Sequence, residues 1–473
     1  MMYKAVIGLE THCELNTSKK VFSGSNNIYT NDPNVNICAV DMGFPGILPI
    51  INKESVVKAL KAALALNCDI AKELKFDRKN YFYPDLPKGY QITQSRRPVG
   101  INGYLMINND EEDKKVLIHD IHLEEDSANL DHTSDSTLID YNRAGVPLIE
   151  IVTEPCMNSA DEAINYLESL RNLLLYCDLS DARADRGQIR CDVNVSLMKE
   201  TDKEFGTKVE IKNVNSFANV KDAINSEIKR QTELLDKGEK IVQETRRYDE
   251  ATKETYHMRE KVEAVDYKYF PEANIPDIKI KDELLVELKK CLPILPYERK
   301  KKYLEYGLNP KDVKTLIKDK KLSDYYENLL KENIEPLTAI NWMTSVVLPY
   351  LNKLYMGIDE IKLTPSMIKS IISLVDENKI SNKQAKDILN QSLEEEKDPL
   401  EIYKNSNVTQ ITDTTLIKDM LIKLLDNNPK LVEDYKNGKN VFNFFVGQVM
   451  KETKGQANPK ITSEILLEEI KKR

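Results

Sequence analysis

Five short strand-like runs carry the side chains best suited to chemistry. Glu10 and His12 close the run AVIGLETH, and because alternate residues of a strand share a face they point the same way. His122, Glu124, Glu125 and Asp126 end the run VLIHDIHLEED, while Glu150 and Glu154 are expected on one face of PLIEIVTE with Val152 between them. In RCDVNVS the even positions Arg190, Asp192, Asn194 and Ser196 are polar, and Cys191, Val193 and Val195 are apolar. Glu210 and Lys212 in TKVEIKN make the fifth cluster. A sheet with one apolar face and one covered by acids is a cradle for a hard divalent cation, which takes oxygen ligands. Mg²⁺ neutralises nucleotide phosphates, so the pattern predicts an ATP–Mg²⁺ site. It would be built without a phosphate-cradling loop, since no G-x-x-x-x-G-K-[ST] run occurs. Each cluster alone is more simply a solvated strand face; the coincidence of five favours a site.

A second kind of chemistry lies in FDRKNYFYPDLPKGYQITQ, residues 76–94. Five aromatics, Phe76, Tyr81, Phe82, Tyr83 and Tyr90, are interleaved with Arg78, Lys79 and Lys88, and two prolines stiffen the backbone. Such a mixture suits base stacking and phosphate contact; a proline-pinned loop packed by its own tyrosines is the alternative. A related run, DYKYFPEANIPDI at 266–278, is expected to close the same domain. Near the end of the chain, Lys451, Lys454 and Lys460 gather around the helix start Asn458-Pro459. Residues 406–473 hold eleven Lys and Arg against nine Asp and Glu, a small basic excess that suits RNA.

The elements that must position these residues follow from periodicity. Residues 1–292 mix β-like runs with helices expected at Lys53–Asn67 and Ala160–Tyr176, which predicts an α+β cradle domain. Pro293 and Pro296 mark a boundary, and beyond it nearly every segment has helical period. Thr364-Pro365 and Asn428-Pro429 read as N-caps followed by proline, and Ser381 as a further cap. The expected division is therefore a helical connector over 293–405 and a helical tail over 406–473.

Among 473 residues, 41% hydrophobic, no apolar run is long enough to span a bilayer. The opening MMYKAVIGLE has the pattern of no targeting leader. Seven scattered cysteines without a C-x-x-C pair argue against a disulfide framework, so a cytoplasmic location is expected. A net charge of −9 counts against a generic coating of RNA but leaves room for a local basic face.

Nine of these segments in order resemble the B subunit family of the aspartyl/glutamyl-tRNA(Asn/Gln) amidotransferases. They are VIGLETH (6–12), FPGILP (44–49), KFDRKNYFYPDLPKGYQI (75–92), HLEED (122–126), DYNRAGVPLIEIVTEP (140–155), RCDVNVS (190–196), GTKVEIKNVNSF (206–217), DYKYFPE (266–272) and the NP, GQVMK, TKGQANP series at 428–459. The resemblance implies a β-rich cradle, a helical connector and a YqeY-like helical tail that touches tRNA. It implies ATP-dependent phosphorylation of the side-chain carboxylate of misacylated Glu-tRNA(Gln) or Asp-tRNA(Asn), then displacement of phosphate by ammonia. The ammonia would come from a partner amidase, the A subunit, and a small C subunit would complete a heterotrimer. On this reading His12, Glu125 and Glu150 are expected to hold Mg²⁺. Glu10, Asp192, Glu210 and Lys212 surround the phosphates, and Lys79, Tyr81 and Lys88 meet the nucleotide. Lys451, Lys454 and Lys460 face the tRNA. The family commonly has four cysteines for structural zinc where this chain has Ser23, Ser25, Cys38 and Asp41, so no zinc is expected. Two rivals are a tRNA-binding scaffold with a vestigial cradle and a free-standing metallohydrolase. Which misacylated tRNA is the substrate does not follow from the sequence.

Overall fold

Strict alternation in the N-terminal runs produces a large sheet, apolar on one side. In the computed structural model every residue is described except 1–2, 109–111, 200, 215, 261–265, 407–413, 437–440, 454–455 and 473. The chain divides into two units, Met1–Arg299 and Lys300–Arg473.

In chain order the strands of the first unit that concern the site are β1 (Tyr3–Glu14), β2 (Asp69–Ile70), β3 (Asp77–Asn80), β4 (Tyr90–Thr93), β5 (Gly100–Ile107) and β6 (Lys114–Glu125). They continue with β7 (Pro147–Thr153), β8 (Ile189–Lys199), β9 (Val209–Val214), β10 (Glu244–Asp249), β11 (Glu254–Glu260) and β12 (Phe270–Pro271). Nine of them form one sheet in the order β11-β10-β9-β8-β1-β7-β6-β5-β2. Every pairing in it is antiparallel except β9 with β10. All five acid-bearing runs are strands of this sheet, and β1 lies at its centre.

The odd-numbered residues of β1, β7 and β8 (Ile7, Leu9, Ile149, Ile151, Val193, Val195) are fully or almost fully buried. Helices α1 (Lys53–Ala65), α2 (Ala160–Tyr176) and α3 (Phe217–Asp236) cover that face. Each starts at a side-chain cap: Asn52 accepts from Glu54 N–H, Ser159 from Glu162 N–H and Ser216 from Asn219 N–H. Burying one face leaves the acids on the other. A small second sheet, in the order β12-β3-β4, carries the aromatic–cation run.

Among the described residues of the second unit every regular element is a helix. Its helices begin by one recurring device, a polar cap before proline, as in Asn309-Pro310, Glu335-Pro336, Thr364-Pro365, Asp398-Pro399 and Asn458-Pro459. Ser381 caps the helix Asn382–Glu395 in a reciprocal box with Gln384. Two separate apolar cores form, one from Tyr303 to Ile402 and one from Ile417 to Ile470. Among the described residues no helix is long and apolar enough to cross a membrane.

Candidate active site

Strand register assembles the polar face. His122, Glu150, His12 and Arg190 lie in one row across β6, β7, β1 and β8, each directly opposite the next. Directly opposed residues in such pairs have Cβ atoms about 4.5–5.5 Å apart, so their side chains must interact. Two residues along β1, Glu10 lies opposite Asp192, and Asn194 lies opposite Glu210 on β9.

Two groups of ligand atoms result. The first is His12, Glu124 and Glu150, and the second is Glu10, Asp192 and Glu210; within each group the atoms lie within 4.8 Å of one another. Glu150 Oε2 sits 3.4 Å from His12 Nε2 and 3.0 Å from His122 Nε2. His122 Nδ1 in turn meets Asp120 at 3.0 Å. Burial by itself would raise the Glu150 pKa, but the hydrogen bonds to His12 and His122 hold it well below the usual carboxylate range. Burial also opposes a charged His122, yet Asp120 and Glu150 lift its pKa to about 10. Glu124 goes up instead, through burial and the charge of Glu150. Negative charge is thus concentrated on one oxygen-rich spot that two imidazoles partly neutralise. A histidine nitrogen with two converging carboxylates fits a divalent cation, the carboxylates suiting Mg²⁺ best.

In the second group Lys212 Nζ donates to Asp192 Oδ2 at 2.7 Å and lies 3.4 Å from Glu210. Asn194 donates to Glu10 at 2.9 Å, and Thr245 Oγ1 donates to Glu210 at 2.9 Å. All four residues expected around the phosphates therefore share one patch of the sheet.

The small sheet adjoins the first group. Thr93 Oγ1 of β4 donates to Glu124 at 3.0 Å, and β3 pairs with β4 in turn. Lys79 Nζ lies 5.0 Å from the Tyr267 ring centroid and 5.9 Å from that of Tyr81. Burial disfavours the Lys79 ammonium, but Glu124, Tyr269 and Glu150 raise its pKa overall. Lys79 and Tyr81, both expected to meet the nucleotide, thus stand beside the acids.

Glu125 does not join His12 and Glu150 in the metal set expected from the sequence. It is one residue out of step with His122 and Glu124 on β6, so it leaves their face. Its carboxylate takes Lys88 Nζ at 2.5 Å and Ile92 N–H at 2.8 Å, and Glu124 stands in the expected place. Lys88, expected to meet the nucleotide, is tied up in that ion pair. Together they line a small cavity with Asp41, Tyr90 and Asp126 that has room for no more than about one water molecule. Glu154 also departs from expectation: the register of β7 shifts between Val152 and Thr153, and Glu154 pairs instead with the exposed His119 at 2.7 Å. His122 had no expected role, although even-numbered alternation along β6 signals it.

Ser23, Ser25 and Asp41 also meet. Asp41 accepts from Ser23 at 2.7 Å, from Ser25 at 2.5 Å and from Cys38 N–H at 2.9 Å, with the fully buried Lys20 at 3.7 Å. In the second unit Lys451 is exposed near the end of the helix Phe442–Glu452, and Lys460 is exposed at the start of Pro459–Lys471. Lys454 lies outside the described residues.

Residues 5–286 match the model of the GatB/GatE catalytic domain, and residues 324–470 that of the GatB domain. Over its full length the chain is 45% identical to the B subunit of the aspartyl/glutamyl-tRNA(Asn/Gln) amidotransferase of Bacillus cereus (strain B4264), covering all of that protein. The same identity and coverage hold for its counterparts from Bacillus thuringiensis (strain Al Hakam) and Bacillus mycoides (strain KBAB4). A free-standing metallohydrolase does not account for a match of this extent.

Proposed function

The chain belongs to the GatB/GatE family, and we propose that the polar face of its nine-stranded sheet is where it carries out the family's carbon–nitrogen ligation. It is the B subunit of a tRNA-dependent amidotransferase that forms Gln-tRNA, Asn-tRNA or both and uses ATP. Such a product needs an amide where the misacylated tRNA has a carboxylate, and hydroxide or oxide is too poor a leaving group for direct displacement by ammonia. In the reading proposed here, a carboxylate oxygen of the aminoacyl group takes the γ-phosphoryl group of ATP, releasing ADP. The lone pair of ammonia then attacks the acyl carbon, the nitrogen loses a proton, and the C–O bond to phosphate breaks.

His12, Glu124 and Glu150 would hold Mg²⁺, which when bound offsets phosphate charge. Lys212, steadied by Asp192 and Glu210, is placed to meet phosphate oxygens, and Glu10 with Asn194 borders the same patch. Lys79 offers a further cation beside the acids. The proposed partners are an amidase (the A subunit) and a small C subunit, with the cytoplasm as the proposed compartment. Residues 1–292 would carry the reaction, 293–405 connect, and 406–473 bind tRNA through Lys451, Lys454 and Lys460. The hydrogen-bonded Asp41 supports the further proposal that the chain holds no structural zinc.

The observation that carries this reading is the convergence of His12, Glu124 and Glu150 within 4.8 Å on a face otherwise lined by carboxylates. In the assembled enzyme, His12→Ala or Glu124→Ala should lower amide formation on misacylated tRNA by about a hundredfold or more. Glutamine hydrolysis by the partner should stay measurable. Near-normal amide formation by both variants would overturn the assignment.

A further inference from the structure

The run DYKYFPE has no part in the chemistry described so far, yet its backbone is held in an unfavourable form. Lys268 sits at φ +48°, in the left-handed region that side chains other than glycine rarely occupy. Asn80 fixes the turn from both sides, its N–H donating to Tyr267 O at 2.9 Å and its side-chain amide to Lys268 O at 2.7 Å. The next residues pair with β3. The outcome is a row of three tyrosines. Tyr81 and Tyr267 meet edge to face at 5.8 Å and 65°, and Tyr267 and Tyr269 at 6.0 Å and 72°.

These rings do not serve mainly as core. Tyr269 is 43% exposed and the neighbouring Phe270 46%. Buried anchors hold the run instead: Ile275, and Glu272, which takes the Arg78 guanidinium at 2.5 Å. Edge-to-face packing fixes the rings and leaves Tyr269 as the exposed ring of the row. Lys79 stands over Tyr267 and Tyr81, and Glu124 and Glu150 act electrostatically on both Lys79 and Tyr269, so the row borders the carboxylate–histidine group.

We propose that Tyr269, held in place by Tyr267 and Tyr81, forms a stacking platform for an adenine ring, with Lys79 placed for the phosphate attached to that nucleoside. This rests on the reaction proposed above, which brings two adenines to the same patch: that of ATP and that of the 3′-terminal adenosine of the charged tRNA. A planar ring system with an anionic substituent matches an exposed aromatic ring beside an ammonium. Tyr267 and Tyr269 are then binding residues that position the reacting group and take no part in bond making.

The test is steady-state kinetics of the assembled enzyme with Tyr267→Ala, Tyr269→Ala, Tyr269→Leu and Tyr269→Phe. The KM for ATP is measured at saturating charged tRNA, and the KM for charged tRNA at saturating ATP. Loss of one stacked ring should raise one of these constants about tenfold with kcat changed much less, and Tyr269→Phe should stay within about twofold of wild type. The constant that rises identifies whose adenine is bound. Tyr269→Leu keeps apolar bulk at an exposed position, so it reports even if an alanine variant fails to fold. Both constants unchanged in Tyr269→Leu and the folded alanine variants would overturn the platform. So would Tyr269→Phe matching Tyr269→Leu, which would make the hydroxyl the active part. Failure of the wild-type enzyme to form amide would overturn the parent reading instead.

Discussion

A carboxylate wedged between two imidazoles, as Glu150 is between His12 and His122, gains from being charged only while something positive stands beside it. In the proposed enzyme a divalent cation does this with the help of Glu124. Glu124→Gln should therefore weaken Mg²⁺ binding by about tenfold or more, since even groups behind the ligands contribute that much. Glu125→Gln should act mainly by releasing Lys88 and Ile92 N–H, so titration calorimetry on the two variants should rank their Mg²⁺ affinities clearly. The pair shows what a sequence yields at this scale. Glu10, His12, Asp192, Glu210 and Lys212 were legible because each stands in an alternating pattern along its own strand. Glu124 and Glu125 end their strand side by side, and only the placement of Lys88 and Ile92 shows which of them turns away.

Glu272 supplies a pH test. Burial pushes its pKa up, but Arg78 and Asn274 more than compensate, leaving it below the ordinary carboxylate value. A depressed folded-state pKa means stability that is present above the unfolded value and lost as pH falls through the folded one. Glu272→Gln should cost about 1–3 kcal/mol at pH 7. The gap in Tm from wild type should narrow steadily below about pH 4.3, the ordinary glutamate value.

At the scale of elements, the strands and the caps of α1 to α3 come from local pattern, whereas the loop before α1 is held by contacts no pattern announces. Lys20 is fully buried, and burial lowers its pKa against the pull of Asp41. Asp41 offsets that cost while also taking both serine hydroxyls, so a carboxylate centre ties the loop together. Gly145, at φ +83°, backs directly onto it; a Cβ there would lie 3.1 Å from Asp41 Oδ1. Elemental analysis of the purified chain should find no stoichiometric zinc. Asp41→Ala strands a buried ammonium and should cost about 3–5 kcal/mol, read as a lower unfolding midpoint in denaturant. One zinc per chain would show that the loop is organised otherwise. The shift of register in β7 is the matching case for a strand: Glu150 and Glu154 share a face of PLIEIVTE by spacing, and nothing in the run marks the point where Glu154 leaves the row.

At the scale of the molecule, a chain of net charge −9 must bind a polyanion, and its field as a whole opposes that. Binding must then rest on local cations. The cradle spends most of its own on its own acids: Lys212 on Asp192, Arg190 on Asp126, Lys88 on Glu125. The tail differs. Its residues 406–473 carry a slight basic excess, and Lys451 and Lys460 are exposed near the ends of helices. The helix Pro459–Lys471 starts at a firm cap, with Asn458 accepting from Lys460 N–H and Ile461 N–H and donating to Asn378. Truncation at residue 406 should therefore raise the KM for charged tRNA by about tenfold or more and lower turnover at saturation far less. The advantage of the full-length enzyme should shrink as salt rises, because phosphate contacts release counterions and each one lost reduces the dependence of log affinity on log salt by about one. Assays of both forms from low to moderate ionic strength would show it. Equal tRNA affinity of the two at low salt would remove the tail from tRNA binding. Collapse of saturated turnover at unchanged affinity would mean that the tail positions the acceptor end for reaction.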